Sequence, residues 1–157
     1  MINQTQARKG DSIWSLNNLM HYVATAEDTD GRMALLEQRI TPAGDTPRHV
    51  HQHEDEALYV LEGRVRAVIG TETVVAGPGE FVFLPRGIAH SLHAESPEAR
   101  GLVVLSPAGF EQFFASVGVP APSDGLPEPA APDVPALIEN AARYGVTIIP
   151  PEISPEN

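Results

Sequence analysis

Between residues 12 and 105 the chain alternates short apolar-rich runs with turn-forming residues. Segments 12–16, 19–26, 32–40, 57–61, 64–69, 73–76, 81–84 and 102–105 carry β-branched or alternating apolar positions, and Gly- or Pro-containing turns separate most of them. Many short strands with frequent turns predict an all-β barrel or sandwich. Residues 32–40 alternate imperfectly, because Ala34, Leu35 and Leu36 are consecutive, but their neighbours argue for a strand. The period then changes. Phe110, Phe113, Phe114 and Val117 recur at helix spacing and predict a short helix packing down. Prolines at 120, 122, 127, 129, 132 and 135 make an extended connector of residues 120–135. Val134, Leu137, Ile138 and Ala141 predict a second helix over 134–144, stopped by Gly145, and residues 146–149 form an edge strand or a packed tail. The expected organisation is a barrel over 1–118 ending in a short helix. A Pro-rich connector and a C-terminal helix and tail over 119–157 pack on it. No internal repeat is present, which excludes a doubled barrel within these residues.

Composition narrows the partners. A length of 157 residues suits one domain. With 21 acidic and 10 basic residues, the net charge of −11 disfavours nucleic acid and anionic membranes. The absence of cysteine leaves any metal to histidine and carboxylate. No apolar window is long enough to span a bilayer and residues 1–10 are polar, so a cytoplasmic protein is expected.

The chemistry concentrates in two segments. Residues 47–63 read PRHVHQHEDEALYVLEG. His49 and His51, two apart, share one face of a strand. After a bend through residues 52–55, Glu56 opens the next strand on the same face as Leu58 and Val60. A hairpin between the two runs is expected to bring its carboxylate back to the imidazoles, a donor set that suits a divalent ion. Residues 79–94 read GEFVFLPRGIAHSLHA. The Pro85-Arg86-Gly87 turn leads into a strand on which His90, Leu92 and Ala94 face one way and Ser91 and His93 the other. His90 is thus the fourth candidate ligand. His53 shares parity with His49 and His51 and is the rival for a ligand place, although the spacing to Glu56 favours the first pair, and His93 is expected at the surface.

These segments resemble the two signature motifs of the cupin superfamily. Gly44, His49, His51, Glu56 and Gly63 fill the first (44–63), and Gly79, Pro85, Gly87 and His90 fill the second (79–94). Gly44 stands one residue closer to His49 than is usual, and Ala94 replaces a terminal Asn. The run from Asp55 to Gly63 and the segment 109–114 further resemble quercetin 2,3-dioxygenase-like cupins. The resemblance implies an all-β, single cupin (jelly-roll) β-barrel with a short C-terminal helical extension. It implies one divalent transition metal ion (Fe, Mn, Ni, Co or Zn) on His49, His51, Glu56 and His90, with Glu56 serving also as catalytic base. The implied activity is a metal-dependent dioxygenase acting with O₂ on an enol, aromatic or polyketide-like small molecule. A non-redox cyclase or isomerase and a non-catalytic ligand-binding cupin are the alternatives. Met33, His53, Leu58, Val60, Phe81 and Phe83 are the expected pocket wall, and a homodimer through an outer face bearing Tyr59 and Leu61 is the expected assembly.

Overall fold

In the computed structural model, which describes residues 6–151, the apolar runs become strands. Residues 1–5 of the expected barrel and 152–157 of the expected tail lie outside the described residues. In chain order the first elements are β1 (Ser12–Ser15), β2 (Asn18–Ala24), α1 (Ala26–Thr29), β3 (Ala34–Ile40), β4 (His49–His51) and β5 (Asp55–Glu62). They are followed by β6 (Val65–Ile69), β7 (Glu72–Ala76), β8 (Phe81–Leu84), β9 (His90–Ala94) and β10 (Ala99–Ser106). The remainder are α2 (Glu111–Val117), β11 (Val119–Pro120), α3 (Val134–Arg143) and β12 (Val146–Ile148).

Two antiparallel sheets result. One has the order β11-β1-β2-β3-β10-β5-β8 and the other β12-β4-β9-β6-β7. Residues 34–40 form a strand, with Ala34, Leu36, Gln38 and Ile40 inward. Met20, Tyr22, Leu36, Val60, Leu84 and Leu105 are fully enclosed in the core; burying each apolar side chain contributes about 1.5–3 kcal/mol. The run expected over 19–26 stops at Ala24. Asp28 Oδ2 accepts the Thr25 N–H at 2.8 Å, which starts the four-residue helix α1 instead.

Two motif glycines are required by close approach. A Cβ on Gly44 would lie 1.9 Å from Asn18 Oδ1, and Asn18 Nδ2 donates to Gly44 O at 3.0 Å. Gly63 has φ +75°, and a Cβ there would lie 2.4 Å from Glu98 O.

The C-terminal segment does more than pack on the barrel. The connector is tethered by Trp14, which donates to Gly125 O at 2.8 Å, and by Asn17, which bonds both backbone groups of Ala130. β11 then pairs with β1 and β12 with β4, so the tail adds a strand to each sheet. Asp133 caps α3 by accepting the Ala136 N–H at 3.1 Å. Only Leu137 and Ala141 of the four expected apolar residues of α3 are buried, while Val134 and Ile138 face outward. Among the described residues no helix is long and apolar enough to cross a membrane.

Candidate metal centre

β4 is only three residues long, and its alternation buries His49 and His51 on one face. His90, at the start of β9, is the register partner of His49. The three imidazoles therefore stand on the smaller sheet. Glu56 comes from the larger one, where it is the partner of Leu84 on β8 and of Leu105 on β10. The expected hairpin does not form, because β4 pairs with β9 and β12 rather than with β5. The bend at 52–54 carries the chain from one sheet to the other, and the carboxylate meets the imidazoles across the barrel interior.

One ligand atom from each of His49, His51, Glu56 and His90 lies within 4.8 Å of the others. All four are buried or nearly so, with His90 fully enclosed and His49 the most open at 9%. Every imidazole uses Nδ1 elsewhere. His49 Nδ1–H donates to Pro47 O at 2.7 Å, His90 Nδ1–H to Ile88 O at 3.2 Å and His51 Nδ1–H to Glu54 Oε1 at 2.5 Å. These bonds orient the rings and leave the Nε2 lone pairs for the interior. His51 Nε2 and His90 Nε2 are buried and lack any hydrogen-bond partner. Glu56 Oε2 approaches them at 3.3 and 3.4 Å without hydrogen-bond geometry. Unpartnered ring nitrogens converging on a carboxylate fit a borderline divalent cation, which would supply the missing partner.

Electrostatics separates the members. Burial pushes His49 down to about 4, helped by the neighbouring His90. For His51 burial acts in the same direction but is outweighed by Glu54 and Glu56, which raise it to about 9. Burial opposes ionisation of Glu56, yet the His51 and His90 rings facing it hold its carboxyl well below the usual range.

The cluster opens onto a cavity of about 110 Å³ walled by His49, Glu56, Phe110, Phe113, Phe114 and Leu137. None of the expected wall residues lines it. Met33 precedes β3 and is bonded through its backbone to Thr29. Leu58 and Val60 are core side chains further along β5. His53 is exposed and packs against Gly145, outside the cluster. Phe81 and Phe83 are 63% and 50% exposed on the outer face, because Val82 and Leu84 take the inward positions of β8.

Instead the aromatic side of the cavity comes from Phe110 and α2, with Leu137 and Ala141 of α3 beside it. Phe110 stacks edge-on against His51 at 4.5 Å between centroids and lies parallel to Phe113 at 4.9 Å. Glu54, which sets the His51 ring, was not singled out from the sequence, although its place three residues after His51 is a usable signal. His93 bonds Asp45 and Ser91 on the opposite face of β9, and His21 pairs with Ser12.

Comparison with known proteins agrees with this architecture. A family profile described as Cupin domain matches residues 36–106. The chain is 27% identical over 148 residues to quercetin 2,3-dioxygenase of Bacillus subtilis, covering 93% of this chain but 44% of that protein. It thus spans less than half the length of that curated relative. A predicted oxalate decarboxylase from Thermotoga maritima superposes with TM-score 0.57 at 16% identity, over 66% of this chain and 98% of its own. KdgF from Halomonas sp. gives 0.54 at 18%, over 60% and 84%. At those identities the two structures speak for the fold alone. With its domain match, paired motifs and two antiparallel sheets, the chain carries a cupin domain over residues 36–106.

Proposed function

We propose that this protein is a metal-dependent dioxygenase acting on an enol-bearing small molecule, with His49, His51, Glu56 and His90 holding one divalent transition ion (Fe, Mn, Ni or Co, with Zn for non-redox chemistry). The observation that carries the reading is the convergence of stranded imidazole nitrogens and a buried carboxylate at the wall of an apolar cavity. The likeness to a quercetin 2,3-dioxygenase supports the reaction class. A bound ion of this kind supplies Lewis acidity toward a substrate oxygen and, where redox-active, one-electron chemistry with dioxygen.

The chain's own residues do the rest. Glu56 is kept ionised by the surrounding imidazoles and lies at the cavity wall, so it can take the proton of an enol hydroxyl. Glu54 and the carbonyls of Pro47 and Ile88 hold the ring orientations. The phenylalanines of 110–114 keep water from the reacting face. The test is metal analysis of tag-free protein, followed by oxygen-uptake assays on protein loaded with each metal and offered a panel of enols. Uptake with a redox metal is expected. Turnover without oxygen would assign a non-redox cyclase or isomerase instead, and absence of both would leave a binding protein.

Pairing into a homodimer belongs to the same proposal. Tyr59, Phe81 and Phe83 are exposed side by side on β5 and the edge strand β8, a face that burial against a second copy would remove from water. Sedimentation velocity is expected to show a dimer that Phe81→Glu dissociates.

A further inference from the structure

Most polar side chains lining the cavity beside Glu56 are already engaged by the protein. Asn17 bonds Ala43 O and both backbone groups of Ala130. Asn18 donates to Gly44 O through Nδ2, while its buried Oδ1 has no hydrogen-bond partner and would clash with any side chain at Gly44. Both carboxylate oxygens of Asp45 are taken, by His93 and by the Ala94 N–H, and Thr46 Oγ1 accepts the Leu92 N–H at 2.8 Å. His49 Nδ1 is spent on Pro47 O.

Gln38 has no such tie on either side-chain atom. It lies on the inward row of β3 between Leu36 and Ile40, is only 7% exposed and lines the cavity together with His49 and Glu56. Its side chain makes no hydrogen bond with any described residue. The amide opens to the cavity rather than being sealed in the core, and the other members of its row are apolar. The amide also offers both a donor and an acceptor.

The rest of the wall limits what can meet it. No Lys or Arg lines the cavity, so a carboxylate or phosphate would find no side-chain counter-charge. Phe110, Phe113 and Phe114 present ring surfaces. At about 110 Å³ the space falls below the ~300 Å³ at which drug-sized pockets begin, and near the ~150 Å³ that accommodates a single benzene ring.

We infer that Gln38 is a ligand-binding residue of this site. Its ligand is a neutral single-ring compound whose hydroxyl or carbonyl oxygen bonds the Gln38 amide while the ring lies against the phenylalanine wall. The inference rests on the cavity beside Glu56 being the substrate pocket. It narrows the enol substrate to one ring and excludes a three-ring flavonol.

The test compares phenol with toluene, a matched ring without the hydroxyl, by calorimetry on the full chain with the metal it carries. Phenol should bind more tightly than toluene, and Gln38→Met should shrink that advantage about tenfold, the size of one buried hydrogen bond. Toluene affinity, melting temperature and metal content should not change. Benzoate and 3-hydroxyflavone should fail to displace toluene. A nuclear Overhauser contact between the phenol ring and the Gln38 side-chain amide protons, read on the wild-type protein, tests the placement without any variant. An unchanged phenol advantage in Gln38→Met overturns the inference, as does a parallel loss of toluene binding or a missing Overhauser contact. Displacement by 3-hydroxyflavone overturns the single-ring limit. Failure of oxygen uptake with every metal would remove the proposed activity and leave these binding results standing, whereas phenol binding indifferent to Gln38 does the reverse.

Discussion

Glu111 and Glu56 are both buried carboxylates in one small barrel, and the contrast between them separates structure from chemistry. Glu111, at the start of α2, is fully enclosed. Its Oε1 accepts the Ala26 N–H at 3.0 Å and its Oε2 the Gly109 N–H at 2.5 Å, so it ties the first turn of α1 to the turn before α2. Both oxygens have backbone donors. Glu56 instead faces imidazole nitrogens that have no hydrogen-bond partners and a cavity that has room. A buried charge satisfied by amides is a fastener, whereas one set among unpartnered ring nitrogens marks a place for something else.

The largest expected effect separates the pair by activity. Glu56→Gln should lower oxygen uptake by about 10²–10⁴-fold, the usual contribution of a general base, with the fold retained by circular dichroism. Metal content that stays while turnover vanishes assigns the base role; loss of both reduces Glu56 to a ligand. Next comes Glu111→Leu, which leaves the Ala26 and Gly109 amides without their acceptor. It should cost about 3 kcal/mol and lower Tm by about 9 °C in a chain of this size, with metal per folded protein unchanged. Equal metal loss in both variants would erase the distinction.

Glu54→Gln tests whether the polar support of the cluster matters. It weakens the anchor of the His51 ring and should reduce metal affinity about 10–100-fold in competition with a chelator. The smallest effect is one of pH on chelated protein. His51, raised to about 9, contributes stability that is full below pH 6.5 and lost as pH rises through 9. His49, lowered to about 4, contributes stability present above pH 6.5 and lost as pH falls through 4. Thermal melts of chelated protein should therefore decline on both sides, and Glu54→Gln should flatten the alkaline slope.

Much of the cluster was legible because its placement follows local rules. His49 and His51 share parity within one strand, and the Pro85–Gly87 turn sets the phase that turns His90 inward. What escaped depended on distant pairing or on ambiguous parity. Residues 81–84 are all apolar, so alternation alone could not tell that Val82 and Leu84, not Phe81 and Phe83, face the core. The bend at 52–55 looked like a hairpin because the sheet to which β4 belongs is decided by β9 and β12, far along the chain. The phenylalanine stripe of α2 was legible as a helix, but its position over the cluster was not. Gln38 carried a signal that periodicity could have exposed: an amide in the row Ala34, Leu36, Ile40, where every other member is apolar.

The pairing of β4 has a consequence for how the protein is made. The strand bearing two of the four candidate ligands meets β9 at a single register pair, His49 with His90, but meets β12 at three, from Val146 to Ile148. Its main neighbour is therefore synthesised about 95 residues after His51. At translation rates of roughly 5–20 residues per second, that is a delay on the order of 5–20 s during which the ligand strand has left the ribosome without its partner. The barrel can begin to assemble around β2, β3, β5 and β10 while the edge carrying His49 and His51 is still open, so the candidate cluster is completed only once β12 has been made.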